Sequence, residues 1–462
     1  MSAKRSDALL HKRENGYRSL SAEEKTAMHA YCEEYKTFLD KSRTEREAVR
    51  YTVQLAEARG YRPYHRGDAL KPGDKIYRVN RDKAIMLAVM GTESLDKGVN
   101  IGAAHIDAPR LDLKPNPLIE DSEFALLKTH YYGGIRKYHW VSIPLSLRGV
   151  VVKRDGTKVD VVIGGEPGDP LLTIPDLLPH LADKQAKEPL WQAIKGEDLN
   201  ILVGSEPYPD PDEKDAVKLM VLDILNQKYG MVEEDFLSAE LCAVPAYPVA
   251  DVGLDRSMIG SYGQDDRVCS FAALQGLFDA EATLKRTGVC MLVDKEEIGS
   301  EGVSGMQSWA FDTFLSDLCD ATGASIKSCY EHSFCLSADV TAAFDPNFAE
   351  VYEKHNAARL NRGVGLCKYT GARGKSGASD ASAEVVGYVR KLFNDNGILW
   401  QLSEMGKVDV GGGGTVALYM ANRNIDTIDA GTPVLAMHSP FEVTGKLDCY
   451  MTYRSMKAVF EA

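Results

Sequence analysis

Short runs of apolar residues alternate with amphipathic segments over much of this 462-residue chain. The runs AIMLAVM at 84–90 and VNIGAAH at 99–105 are continuous and of strand length, which indicates buried strands. After residue 260 the apolar runs GVCMLVD, SFCLSAD and PVLAMH alternate with helix-like stretches. One of these helices is expected near 381–393. This alternation predicts an α/β fold, in which a mostly parallel sheet is covered by helices.

Two helices are predicted near the start of the chain, each from a capping box. In this motif a Ser side chain and a Glu side chain three residues later satisfy each other's free backbone N–H groups. Ser21 and Glu24 form one such pair, and Ser42 and Glu45 form the next. The second helix would end near Gly60, because glycine readily adopts the left-handed conformation found after helix C-termini.

The region between 112 and 247 has a different pattern, with prolines and short alternating strands. The dipeptide Asp155-Gly156 separates two alternating runs and is typical of a tight hairpin turn. We therefore predict a β-rich domain at 112–247. It would be inserted into a discontinuous α/β domain made of residues 1–111 and 248–462.

One amphipathic helix is expected inside this inserted region, at about 212–229, with Gly230 ending it. Its apolar positions recur at helical spacing, so they are expected to face inward. These positions are Val217, Met220, Val221, Ile224 and Leu225.

The composition argues against nucleic-acid and membrane partners. The net charge is −13, the pI is near 5.4, and no run of Lys and Arg is long enough to bind phosphate backbones or anionic lipid. The longest apolar runs are of strand length, too short to span a membrane. The N-terminal stretch MSAKRSDALLHKRENG has no apolar segment behind its basic residues, so we expect neither a secretory signal nor an anchor.

The nine cysteines are spread from Cys32 to Cys449 and include no C-x-x-C pair. An odd number at scattered positions is typical of reduced thiols rather than of a disulfide framework. We therefore predict a cytoplasmic protein. A zinc site built from thiolates is not expected.

Potential metal ligands follow the strand-like runs. His105 ends GAAH, Glu296 and Glu297 follow VCMLVD, Asp339 ends CLSAD, and His438 ends VLAMH. In an open α/β sheet the functional crevice lies beyond the carboxyl ends of the strands, so these side chains are expected to converge. Asp265, in YGQDDRVCS, lies where a loop enters a helix, and its carboxylate could reach the same crevice.

Taken one at a time, these residues have simpler explanations. A histidine at a strand end is more often a hydrogen-bonded core residue, and an aspartate before a helix is more often an N-cap. Taken together, the two histidines and three carboxylates suit two neighbouring divalent ions. The combination, rather than any one residue, predicts a metal site.

Two further acidic residues could assist such a site. Glu296 precedes Glu297, so one carboxylate could bind a metal while the other takes a proton from water and acts as general base. A solvated acidic loop is the alternative. Asp107 lies two residues after His105 and could orient its imidazole, or it could simply form a turn before Pro109.

Six segments of the chain resemble a known family. The strings AAHIDAPRLDLKPNP, YGQDDRVC, DKEEIGSEG, SADVTAAFDPNF, TGARGKSGASDASAE and MHSPFEV are similar, in this order, to bacterial-type members of the aspartyl aminopeptidase family of di-zinc exopeptidases. The resemblance covers nearly the whole chain. It implies an α/β catalytic domain interrupted by a β-rich domain that serves assembly.

The resemblance also implies roles for individual residues. His105 and Asp339 would bind one zinc, and His438 and Glu297 the other. Asp265 would bridge the two ions, with Asp266 as its rival. Glu296 matches the general base, and Asp107 matches the acidic residue that supports the first histidine.

Substrate-binding residues are less clearly indicated. Eukaryotic-type members of the family have a histidine shortly before a tryptophan in the assembly domain, and it completes a neighbouring subunit's substrate pocket. Here Tyr138 stands at that place before Trp140, and His139 beside it is the candidate. Lys368 and Lys375 could attract an acidic side chain, although either is commonly just a surface lysine. Gly411–Gly414 lack a phosphate-loop lysine, so the family's glycine-rich active-site loop is the preferred interpretation.

We therefore expect a cytoplasmic metalloaminopeptidase that acts on peptides with a free N-terminus, with Asp or Glu as the candidate first residue. Two divalent ions are implied, zinc first, with cobalt or manganese also compatible with carboxylate ligands. The family suggests a homo-oligomer, a tetrahedral dodecamer. The alternatives are a related deacylase or dipeptidase, and a non-catalytic assembly that binds peptides.

Overall fold

The structure is a computed structural model that describes residues 5, 9–10, 14–166, 168–281 and 283–462. The N-terminal stretch, where we expect no signal or anchor, lies largely outside the described residues. The chain divides into two compact units. The larger contains residues up to Asp107, Val249–Met437 and Glu442–Ala462, and the smaller contains Ala108–Pro248 and His438–Phe441.

The strands of the described residues are numbered here in chain order. They are β1 Arg62–Pro63, β2 Lys75–Asn80, β3 Ala84–Val89, β4 Asn100–His105, β5 Arg110–Asp121, β6 Phe124–Tyr132, β7 Leu145–Val152, β8 Lys158–Ile163, β9 Ile201–Gly204, β10 Ala239–Pro245, β11 Ala250–Val252, β12 Met258–Ser261, β13 Gly288–Val293, β14 Phe334–Ser337, β15 Thr341–Ala342, β16 Val364–Cys367, β17 Trp400–Leu402, β18 Asp426–Gly431, β19 Pro433–Leu435 and β20 Glu442–Gly445.

The α-helices are Ala22–Lys41, Glu45–Glu57, Leu190–Ala193, Ala216–Tyr229, Gln264–Phe278, Ala310–Thr322, Ile326–His332, Ala383–Asp395, Ala417–Ala421 and Lys446–Phe460. Within the described part of the chain, none of these helices is both long enough and apolar enough to cross a membrane. All nine cysteines are buried and free of disulfides.

A nine-stranded sheet forms the centre of the larger unit, in the order β1-β2-β3-β13-β4-β14-β18-β16-β17. Its four middle strands, β13, β4, β14 and β18, are parallel to one another. Every residue of β3, β4 and β13 is buried, and one apolar core packs on each face of the sheet. This arrangement explains the continuous apolar runs, and the predicted α/β fold is confirmed.

The run PVLAMH departs from the prediction, because it does not join this sheet. Its strand β19 belongs to a separate five-stranded sheet in the same unit, in the order β11-β12-β20-β19-β15. It pairs antiparallel with β20 and parallel with β15. Because β20 follows after only a short connection, β19 pairs with it locally. His438 therefore does not end a strand of the main sheet.

One of the two predicted capping boxes is present and the other begins at a different residue. Ser21 and Glu24 cap the first helix reciprocally, as predicted. The second helix is capped by Thr44 and Glu47, not by Ser42 and Glu45. Ser42 instead terminates the first helix, because its backbone N–H donates to the carbonyl of Leu39.

The smaller unit contains a six-stranded sheet in the order β8-β7-β10-β5-β6-β9. The predicted hairpin joins β7 and β8, and Gly156 in its turn has a φ of +84°. The helix Ala216–Tyr229 ends at the left-handed Gly230, as predicted. Its buried residues are Val217, Val221 and Leu225, but Ile224 is 55% exposed and does not face inward as expected.

Asp448, near the start of the C-terminal helix, stabilises a neighbouring loop. Its carboxylate accepts backbone N–H groups from Asn361, Arg362 and Gly363 at 2.6, 3.0 and 2.7 Å. Burial nevertheless raises the pKa of Asp448 to about 7, because desolvation outweighs these hydrogen bonds. The folded state therefore binds a proton more tightly at this carboxyl than the unfolded chain does.

We expect this carboxyl to make stability fall with rising pH. Because its folded-state pKa lies above its unfolded value, its contribution is complete below about pH 4 and is lost as pH rises through about 7. The full contribution of this carboxyl to the free energy of unfolding is about 4 kcal/mol. Urea unfolding at pH 5 and pH 8 should show a smaller pH difference for Asp448→Asn than for the parent, and equal differences would contradict this.

Candidate metal centre

Four of the residues singled out at strand ends lie where the central strands of the nine-stranded sheet end, namely His105, Glu296, Glu297 and Asp339. His105 is the last residue of β4, and Asp339 lies two residues beyond β14. Glu296 and Glu297 lie in a short 3₁₀ turn after β13. Because β13, β4 and β14 are adjacent and parallel, their carboxyl ends bring these side chains together.

His105 is at the centre of this cluster. Its Nε2 lies 3.1 Å from Oδ1 of Asp265, 3.8 Å from Oδ1 of Asp339 and 3.9 Å from Oε2 of Glu296. Two groups of potential ligand atoms result, each with all its atoms within 4.8 Å of one another. They are His105, Glu296 and Asp339, and His105, Asp265 and Glu297.

Asp107 supports both the histidine and the acidic turn. Its Oδ1 lies 3.2 Å from Nδ1 of His105, which also contacts the Asp107 carbonyl at 3.1 Å. The two carboxylate oxygens accept the backbone N–H groups of Glu296 and Glu297 at 3.1 and 3.2 Å. One fully buried side chain therefore positions the imidazole and the turn that carries two further carboxylates.

Asp265 and Asp266 have different surroundings. Both have non-helical φ and ψ at the start of the helix Gln264–Phe278, and the peptide between them is cis. Asp265 directs its carboxylate at His105 Nε2, whereas Asp266 accepts the backbone N–H of His105 at 3.4 Å. Asp265, and not Asp266, belongs to a candidate ligand group.

The cluster carries more negative charge than its burial favours. Burial by itself lowers the pKa of His105, but hydrogen bonds with Asp107, Asp265 and Asp339 outweigh it and raise that pKa well above its usual value. Burial, together with the charges of nearby carboxylates, raises the pKa of Glu296 to about 8. A divalent cation would relieve this repulsion, and imidazole with carboxylates is a donor set that suits zinc.

His438 and His139 are placed in the smaller unit. His438 has a φ of +64°, and its Nδ1 lies 2.8 Å from the carbonyl oxygen of Gly134. His139 is half-buried against the ring of Tyr138, and burial together with the charge of Arg136 lowers its pKa. Neither histidine belongs to a candidate ligand group of the described residues, and their roles stay predictions.

Lys368 and Lys375 share one acidic partner. Lys368 Nζ lies 2.6 Å from Oδ1 of Asp380, and Lys375 Nζ lies 2.9 Å from Oδ2 of the same carboxylate. Lys375 also lies over the ring of Tyr369, 3.9 Å from its centroid. Both lysines are therefore paired within their own loop, and their part in substrate binding stays a prediction.

The structure adds two buried carboxylates that the sequence reasoning missed. Glu442 accepts the backbone N–H of Asp265 at 3.0 Å. Asp429 accepts the hydroxyls of Ser337, two residues before Asp339, and of Thr415 at 2.7 and 3.1 Å. Asp429 lies in the buried stretch TIDAG, where an acidic residue among apolar neighbours was the only available signal.

Residues 38–460 match the family described as Aminopeptidase I zinc metalloprotease (M18). The chain belongs to this family. M18 is the aspartyl aminopeptidase family, so the resemblance drawn from the sequence strings is confirmed. The chain is accordingly a metal-dependent aminopeptidase of a zinc metalloprotease family.

Relatives match along the whole chain. A probable M18 family aminopeptidase 1 from Borrelia garinii subsp. bavariensis is 45% identical over 457 residues, which cover 97% of this chain and 100% of that protein. The crystal structure of the M18 aminopeptidase from Thermotoga maritima has a TM-score of 0.94 at 43% identity, and covers 98% of this chain and 100% of that one.

A more distant structure shares the fold alone. It is the S. cerevisiae mApe1 dodecamer, with a TM-score of 0.77 at 21% identity, which covers 94% of this chain and 97% of that one. At 21% identity, the likeness shows a shared fold, and the dodecamer is a property of the yeast protein.

Proposed function

We propose that the chain removes single N-terminal residues from peptides with two divalent ions, most readily zinc. His105 and Asp339 would hold one ion, His438 and Glu297 the other, and Asp265 would bridge them. The observation that supports this most is that four of the five proposed ligands, His105, Asp265, Glu297 and Asp339, lie in the two candidate ligand groups. The role of His438 rests on the family resemblance.

In this proposal Glu296 is the general base. When bound, the zinc ions supply Lewis acidity, which polarises the scissile carbonyl and lowers the pKa of water. Glu296 takes the proton from the attacking water and passes it to the leaving amine. Two features support this role. Oε2 of Glu296 lies 3.9 Å from Nε2 of His105, and the Asp107 carboxylate accepts the backbone N–H of Glu296.

The substrates we propose are peptides with a free α-amine, and Asp or Glu is the candidate first residue. His139, Lys368 and Lys375 are the candidate contacts for an acidic side chain. Because Asp380 pairs with both lysines, an acidic substrate would compete with it for the same two charges.

Replacing Asp380 should therefore improve acidic substrates selectively. In Asp380→Asn the two lysines lose their shared carboxylate, so we expect KM for Asp and Glu reporters to fall about two- to fivefold. KM for a Leu reporter should not change. Steady-state kinetics on the three reporters give the KM values. An unchanged KM for the Asp and Glu reporters would show that the two lysines do not bind the substrate side chain.

A homo-oligomer is also proposed, with a tetrahedral dodecamer as the specific form. Its support is the family resemblance together with the dodecamer of the S. cerevisiae relative that shares this fold. The β-rich unit would serve assembly. Native mass spectrometry of the purified chain should give twelve subunits, and a monomer at micromolar concentration would contradict the proposal.

Blocked substrates distinguish this function from its closest alternatives. A panel of peptide reporters, each with a free and an N-acetylated form, would be incubated with the zinc-loaded protein. An aminopeptidase should cleave only the free forms. Cleavage of the acetylated forms would indicate a deacylase, and cleavage restricted to two-residue substrates would indicate a dipeptidase.

A further inference from the structure

The backbone of Asp265 needs a hydrogen-bond partner from outside its own helix. The first N–H groups of an α-helix have no partner within the helix, and an N-cap side chain usually provides one. Here the N-cap is Gly263, which has no side chain. The N–H of Asp265 donates instead to Oε2 of Glu442, at 3.0 Å.

The preceding residue, Gln264, is held by the same part of the fold. Its Nε2 donates to the carbonyl of Ile259 in β12 at 2.9 Å and to that of Glu442 at 2.7 Å. Its Oε1 accepts the hydroxyl of Tyr35 at 3.3 Å. Since β12 and β20 pair directly, with Ser261 opposite Glu442, these hydrogen bonds connect the start of the helix to two paired strands.

Burial makes these contacts costly to lose. Glu442 is 1% exposed, Gln264 is fully buried, and Asp265 is 3% exposed. A buried carboxylate is unfavourable unless hydrogen bonds compensate it, so its placement here depends on partners such as the Asp265 N–H. The side chain of Asp265 in turn lies 3.1 Å from the imidazole of His105.

From this geometry we propose that Glu442 is a positioning residue of the metal centre. By accepting the backbone N–H of Asp265, Glu442 holds the Asp265 side chain where its carboxylate can bind metal. The inference rests on the proposed ligand role of Asp265. Glu442 itself contacts neither substrate nor metal in this account.

The test is the zinc affinity of Glu442 variants, measured by competition with a chromophoric chelator. Glu442→Ala removes the acceptor, and Glu442→Asp keeps the charge on a side chain one methylene shorter. Both should bind zinc about 10–100-fold more weakly, as is typical when an outer partner of a metal ligand is lost. Glu442→Gln keeps an acceptor oxygen at the same reach and should restore zinc binding to near the parent value.

Kinetics provide a second readout that a purely structural role would not move. At limiting free zinc, Glu442→Ala and Glu442→Asp should lose activity, and saturating zinc should restore most of their kcat. If Glu442→Ala does not fold, Glu442→Asp carries the test. Zinc affinities of Glu442→Ala and Glu442→Asp equal to that of the parent would overturn the inference.

Asp448→Ala is the matched control for Glu442→Ala, because Asp448 is equally buried and also accepts backbone N–H groups, but from residues that lie outside the candidate ligand groups. It should leave zinc affinity unchanged, and a loss equal to that of Glu442→Ala would also overturn the inference. Failure of the metal proposal itself gives a different result, because His105→Ala would then bind zinc as tightly as the parent.

Discussion

Glu296→Gln is expected to lose about 10²–10⁴-fold in kcat while it still binds zinc. The amide keeps the size of the carboxylate, but it cannot take a proton from water. Because Glu296 shares its candidate ligand group with His105 and Asp339, zinc content must be measured with the rate. Retained zinc with a lost rate separates a proton-transfer role from a ligand role.

Glu301→Gln is the matched control for this variant. Glu301 is an exposed acid five residues further along the same loop, so its replacement should leave kcat within experimental error. A Glu296→Gln variant that hydrolyses as fast as the parent would exclude Glu296 as the base. It would also reopen the alternative of an assembly that binds peptides without cleaving them.

His105→Ala is expected to weaken zinc binding by more than about 100-fold and to reduce hydrolysis to the background rate. Loss of an outer partner alone typically costs 10–100-fold in metal affinity, and a direct ligand should cost at least as much. His105 belongs to both candidate ligand groups, so its removal affects both at once. Isothermal titration of the metal-stripped variant with zinc measures the effect.

The control for this variant is His332→Ala. His332 is exposed, its ring Nδ1 lies 2.9 Å from the Ser328 carbonyl oxygen, and it belongs to neither candidate ligand group. Zinc binding should be unchanged there. If His105→Ala bound zinc with parental affinity and stoichiometry, the ligand assignment at the edge of the sheet would be wrong.

The α/β fold was predictable because its central strands are buried on both faces. β3, β4 and β13 have no exposed positions, so their sequences are nearly continuous apolar runs. The convergence of His105, Glu296 and Asp339 follows from the same property, since the carboxyl ends of adjacent parallel strands meet at one edge.

Features decided by contacts outside a residue's own segment were not predictable. The hydrogen bond from Asp265 to Glu442 joins residues 177 positions apart, and nothing in the string SPFEV marks its glutamate as buried. The pairing of β19 was decided by the strand that follows it. At the second helix, the predicted cap Ser42 is taken up by the end of the first helix, so the N-cap falls two residues later, at Thr44.

The most direct test of the account is hydrolysis of a panel of unblocked aminoacyl reporters by metal-stripped protein, before and after adding zinc, cobalt or manganese. We expect no release without metal and single-residue release when zinc is restored, with Asp and Glu reporters ranked against the others in the same experiment. No release with any of the three metals, from protein shown to be folded and assembled, would contradict it.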